Sequence, residues 1–115
     1  MNAACRPFIS TTIEMTEMLL DMPTTDELEL AAVLHALSDP IRLEIVRALA
    51  SGGEQACGVI PLPVGASTRS HHFKVLREAG LTVTRVVGTT RMVSLRRNDL
   101  EGRFPGLLDV VLKDA

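Results

Sequence analysis

Between Ser67 and Arg77 the chain places Ser67, Thr68, Ser70, His71 and His72 among the cations Arg69, Lys74 and Arg77. Eleven residues make about three helical turns. Hydroxyls and cations of this kind bond phosphate oxygens, and an imidazole can donate or accept at a purine edge. The interleaved Phe73, Val75, Leu76 and Ala79 read as the buried side of the same segment. A second polar group, Arg85, Thr89, Thr90 and Arg91, surrounds Gly88. The remaining reactive chemistry is thiol: Cys5 and Cys57 are soft ligands and nucleophiles when ionised. No acid or nucleophile stands beside His71 and His72 in a spacing that would make them catalytic, so the segment reads as a binding surface and the protein as no enzyme.

Charge distribution points the same way. The net charge is −2, yet residues 67–97 carry seven bases against one acid, while residues 1–66 carry nine acids against three bases. A local excess of this size suits a polyanion partner, double-stranded DNA above all. A solvated basic face is the plainer reading of the same charges.

The elements that must position these groups follow from periodicity. With 115 residues, 46% hydrophobic and 3% aromatic, the chain reads as one domain, 1–115, with an aliphatic core. In residues 1–23, an N-terminal arm or helix would carry Met15, Met18, Leu19 and Met22 on one stripe and end at Pro23. Thr24 and Glu27 have capping-box spacing, and Leu28, Ala31, Val33, Leu34 and Leu37 follow at helical intervals. Asp39-Pro40 opens a second helix, with Ile41, Ile45, Val46 and Leu49 inside and Gly52-Gly53 at its end. Residues 54–79 form a helix-turn-helix: a short helix over Glu54–Ile60, a turn holding Pro61, Pro63 and Gly65, then a helix capped by Ser67 and stopped by Gly80. Residues 81–97 alternate in period two on either side of Gly88-Thr89, a β-hairpin. Asn98-Asp99 caps a single turn, and a last helix over 105–113 aligns Leu107, Leu108, Val111 and Leu112. The fold class is mainly α with a β-hairpin wing.

Three passages resemble the ArsR/SmtB family of winged helix-turn-helix repressors. "LHALSDPIRLEIVRAL" is similar to the family's opening helix pair, "STRSHHFKVLREAGL" to its recognition helix, and "VVGTTRMVSL" to its wing. The resemblance implies a homodimer formed through N- and C-terminal helices. It would bind an operator, repress transcription and be released by an inducer. It assigns Ser67, Thr68, Arg69, Ser70, His71, His72, Lys74 and Arg77 to a recognition helix, and Arg85, Thr89, Thr90 and Arg91 to a wing on the adjacent groove or backbone. The alternative function is a winged-helix module that meets an acidic partner protein and has no operator.

Two features depart from the family pattern. Arg69 stands where an apolar residue is usual, and Pro61 and Pro63 interrupt a helix that is usually continuous. The sensing motifs are also incomplete. Cys57 lies near the family's C-x-C position without a second cysteine two residues away, and the last helix has no histidine, which argues against a zinc site there. Some arsenite-responsive relatives join N-terminal cysteines to a third-helix cysteine of the other protomer. Cys5 and Cys57 would supply two thiolates to such a site. A buried, inert Cys57 is the plainer alternative. No cofactor is expected. The inducer remains open among an organic ligand, thiol chemistry at Cys57 with or without Cys5, and a soft metal.

The uncharged run 55–68 contains Pro61 and Pro63, so no membrane span is expected. No apolar run precedes Glu14, which reads as no signal peptide. Two distant cysteines suit a reducing compartment, and the expected location is cytoplasmic.

Overall fold

The computed structural model describes residues 17–113. Cys5, and the expected helix where it covers residues 1–16, lie outside the described residues. Five helices run over Leu30–Leu37 (α1), Pro40–Gly52 (α2), Ala66–Ala79 (α3), Arg97–Arg103 (α4) and Leu107–Lys113 (α5). Four strands, Glu17–Leu19 (β1), Gln55–Ala56 (β2), Thr82–Val87 (β3) and Thr90–Leu95 (β4), form one antiparallel sheet in the order β1-β3-β4-β2.

The hairpin β3–β4 is the wing. Its register pairs Thr84 with Val93 and Val86 with Arg91 across the turn at Gly88-Thr89. Alternation puts Thr82, Thr84, Val93 and Arg91 on one face, and Thr82, Thr84 and Val93 are buried there. Helices α1, α2 and α3 close the core over this face with Val33, Ala36, Ile45, Val46, Leu49, Phe73 and Leu76. Mainly α with a hairpin wing is therefore the observed architecture. No helix among the described residues is long and apolar enough to cross a membrane.

Several local expectations are corrected. Met18 and Leu19 belong to a strand, not to a helical stripe: β1 pairs Met18 with Val86 and Leu19 with Arg85. The exposed edge of β3 offers a full row of backbone partners, which a short segment ahead of Pro23 can use and a helix cannot. The capping box forms, with the Thr24 N–H donating to Glu27 Oε1 at 2.8 Å, but it closes a 3-10 turn over Thr25–Glu27. Leu28 and Glu29 then turn extended before α1 begins. Residues 54–60 form no helix of the expected length; they give the two-residue strand β2 and a 3-10 turn over Cys57–Val59. Pro61 and Pro63 supply no amide hydrogen for a continuing helix, and the edge of β4 takes up the backbone of Gln55 and Ala56 instead. The single turn foreseen at Asn98-Asp99 is a seven-residue helix.

Gly80 ends α3 in the left-handed region, at φ +91°. A Cβ there would collide with Leu28 Cδ2 and press on Pro23, so glycine is required both by backbone angle and by the close approach of the N-terminal segment. In α5, Leu108 is 2% exposed while Leu107, Val111 and Leu112 pack partly buried against the same core. The stripe expected to seek a second chain is largely used by the first.

Asp39 anchors α2. Its Oδ1 accepts from the N–H groups of Ile41 (2.8 Å) and Arg42 (3.1 Å). Burial raises its pKa, but these two amide bonds and the nearby Arg42 guanidinium outweigh that and hold it below the usual 3.8. A depressed carboxyl pKa adds stability that is complete above the unfolded value and lost as pH falls through the folded one. Asp39→Ala is accordingly expected to cost about 1 kcal/mol at neutral pH. Urea melts should show the gap to wild type closing as pH falls through the carboxylate range. A gap independent of pH would show that the charge of the cap contributes nothing.

Candidate nucleic-acid interface

Helix α3 opens at Gly65, which has no side chain to cap the first turn. Ser67 was expected to be that cap. It lies at the second helical position instead, exposed beside Thr68, and its hydroxyl is not spent on the helix. Exposed Ser70, His71 and Lys74 continue the same surface. The free amides at this N-terminus carry a partial positive charge toward solvent.

His72 points the other way. It is 7% exposed, and its Nδ1 lies 3.2 Å from Arg42 Nη1. The guanidinium only donates, so Nδ1 accepts and the ring's proton sits on Nε2. Arg42 is itself buried, donating from Nε to Ala36 O at 2.6 Å and from Nη2 to His35 O at 3.4 Å. The expectation that His72 reads base edges is thus corrected: it links α3 to α2 and to the end of α1. His71 and His72 are adjacent in sequence with ring centroids 6.0 Å apart, yet one faces outward and the other inward.

Arg69 is the second correction. Its Nη1 donates to Cys57 O at 3.0 Å and to Ile60 O at 2.7 Å. The unusual cation satisfies carbonyls released where the prolines interrupt the preceding turn, and so fastens α3 to that turn. Both acceptors are backbone carbonyls, and the side chain also lines a cleft beside the wing. Arg85 forms a surface ion pair with Glu54, donating through Nε at 3.1 Å and Nη2 at 2.9 Å. That hydrogen bond is the main reason the Glu54 carboxyl titrates below its ordinary value, against a smaller upward push from burial. Arg96 is buried between Pro23 O and Asp99, and Arg97 donates to Ala50 O.

Of the seven bases in residues 67–97, four therefore have partners within the chain, Arg69 and Arg96 partly or fully buried and Arg85 and Arg97 at the surface. Lys74, Arg77 and Arg91 have no hydrogen-bond or ion-pair partner among the described residues. They lie together along α3 and the wing, around a cleft that also contains Ser70 and Cys57. Thr89 and Thr90 are exposed at the wing tip. The structure gathers Ser70, Lys74, Arg77 and Arg91 around one cleft, leaves Ser67, Thr68 and His71 exposed on α3, buries His72, and gives Arg69 and Arg85 partners within the chain.

Cys57 is half-buried at the base of this cleft. Burial pushes its thiol pKa up, and Arg91, Arg69 and Arg77 offset that only in part. No cluster of three or more metal-ligating side chains occurs among the described residues.

Sequence reasoning missed Arg42 and Thr84. Arg42 occupies the position three residues before Ile45 and seven before Leu49, so it falls on the apolar stripe of α2. A charge on such a stripe is a signal of a buried network. Thr84 alternates inward in β3 beside Thr82 and opposite Val93, and it lines the cleft.

Comparison with known proteins agrees with this geometry. A family described as "Helix-turn-helix domain" matches residues 37–86, from the end of α1 into the wing. The chain is 41% identical over 95 residues to the uncharacterized HTH-type transcriptional regulator YceK of Bacillus subtilis (strain 168), covering 80% of this chain and 95% of that relative. It is 38% identical over 74 residues to the arsenical resistance operon repressor of Staphylococcus xylosus, covering 64% of this chain and 71% of that relative. The exposed first turn of α3, the wing beside it and these likenesses together show that the chain belongs to the ArsR family of winged helix-turn-helix transcriptional regulators.

Proposed function

We propose that this DNA-binding regulator is a repressor that docks α3 in the major groove as a homodimer and is released by an inducer. The observation that carries the reading is the pairing of an uncapped, hydroxyl-lined α3 N-terminus with three partnerless cations, Lys74, Arg77 and Arg91. Ser67 and Thr68 take phosphate oxygens, Ser70 and His71 face base edges, and Lys74, Arg77 and Arg91 neutralise the backbone. Thr89 and Thr90 accompany Arg91 onto the flanking backbone.

This division gives opposite signatures. Arg91→Ala should weaken operator and random DNA alike and flatten the log–log salt dependence by about 0.9 for each phosphate that Arg91 neutralises. His71→Ala should cost about 1–3 kcal/mol on the operator and much less on random DNA. Fluorescence anisotropy across a salt series distinguishes the two. Equal losses for His71→Ala on both DNAs would remove it from base readout.

The dimer reading rests on exposed apolar side chains. Leu30 and Leu34, one turn apart on α1, are 47% and 46% exposed, and Val110 on α5 is 72% exposed. A two-fold pair would set its reading helices about 34 Å apart on a palindromic site. Light scattering should give twice the chain mass at micromolar concentration for wild type, and a monomer for Leu34→Glu. A monomeric wild type would overturn the homodimer.

Cys57 is the candidate trigger residue, because it lies between the reading helix and the wing and a bulky adduct there would part them. Its raised pKa keeps the thiol protonated at neutral pH, so reaction should be slow there and accelerate only as pH rises past the ordinary thiol range. Alkylation followed by mass spectrometry should show that lag against a small free thiol. Arsenite or oxidant that releases DNA from wild type but not from Cys57→Ser would establish the trigger; equal release from both would exclude it.

A further inference from the structure

The cleft between α3 and the wing has a volume of about 220 Å³, several times the roughly 30 Å³ of a water molecule. Its wall carries Lys74, Arg77, Arg91 and the stem of Arg69, and no carboxylate. Four side-chain atoms among the described residues are buried without a hydrogen-bond partner, and two of them, Arg77 Nε and Thr84 Oγ1, belong to residues of this wall; the others are Arg47 Nε and Thr82 Oγ1. Thr84 is 2% exposed and lines the cleft. Buried polar atoms are nearly always satisfied, and two orphans on one wall mark a place where an acceptor belongs. A guanidinium Nε–H requires an acceptor, a threonine hydroxyl can donate to one, and the surrounding charge demands that it be an anion. Ser70 adds a hydroxyl at the rim.

We propose that this cleft is a binding site for a phosphate-type oxyanion, seated on Arg77 Nε and Thr84 Oγ1 and neutralised by Lys74 and Arg91. Cys57 borders the seat but supplies none of its charge. A tetrahedral oxyanion meets the geometry because it accepts from several directions at once, whereas chloride cannot bridge separated donors in the same way. The anion can arrive free in solution or as a backbone phosphate of bound DNA; both present the same oxygens. The free-protein measurement below involves no DNA, so failure of the anion site and failure of the DNA reading register separately.

The test is a titration of the full chain with inorganic phosphate at constant ionic strength, balanced with chloride and followed by thermal shift and amide NMR. Saturable stabilisation with shifts centred on Arg77 and Thr84 is the expected result. Arg77→Gln and Arg91→Gln should each weaken phosphate binding by about tenfold, the loss of one charge-assisted hydrogen bond, while the distant Lys113→Gln keeps it. Arg91 is exposed on the wing, so its variant remains informative if Arg77→Gln unfolds. A response no larger than chloride gives, or one unchanged in both arginine variants, would overturn the site. With DNA present, phosphate that competes beyond its ionic strength, and does so less in Arg77→Gln, identifies the seat as one shared with a backbone phosphate. Phosphate that stabilises the free protein but competes no more than chloride identifies a free-anion site.

Discussion

Arg42 lies in the core with its guanidinium shared among Ala36 O, His35 O and His72 Nδ1. A buried guanidinium is costly unless its hydrogens are met, and here two neighbouring helices meet them. α1 contributes two carbonyls of its last turn, Ala36 O and His35 O, the latter also accepting from the Ser38 cap. α3 contributes the imidazole. Because α2 carries Arg42 and begins at the Asp39 cap, the three helices are fixed relative to one another at one point. The orientation of α3, and therefore of its exposed first turn, depends on that point.

The same chemistry recurs wherever the chain interrupts its helices. Arg69 satisfies Cys57 O and Ile60 O beside the proline-broken turn, Arg96 satisfies Pro23 O, and Arg103 satisfies Leu28 O. Short helices leave many carbonyls open, and a planar five-donor fork reaches them better than a lysine ammonium does. The basic character of residues 67–97 therefore serves two ends. Part of it holds the α3–wing unit together from within. Lys74, Arg77 and Arg91 have no partner among the described residues, and they cluster at the cleft.

That cleft joins the functional elements physically. Thr84 and Arg91 come from the wing, Ser70, Lys74 and Arg77 from α3, and Cys57 from the turn ahead of it. Anything that occupies or widens it acts on the spacing between the reading helix and the wing, the two elements that a winged helix-turn-helix presents to DNA. A thiol adduct, a bound anion and a backbone phosphate would all act on the same spacing.

Much was legible from the sequence because local chemistry sufficed. Asp39-Pro40 starts α2, Gly80 ends α3, and two alternating runs about Gly88-Thr89 make the wing; each depends on neighbouring residues alone. The candidate DNA-reading segment was found the same way, from residue types at helical spacing. The structure decided what local chemistry cannot. Met18 and Leu19 became a strand because β3 had an open edge, and Gln55-Ala56 paired because β4 had the other. Arg69, Arg85 and His72 took partners that lie 9 to 31 residues away in the chain, and His72 was buried in doing so. Residue type and periodicity specify which groups are present and which face of an element they share. Whether a charge is free or already compensated depends on distant carbonyls and carboxylates, and only the tertiary fold brings those into reach.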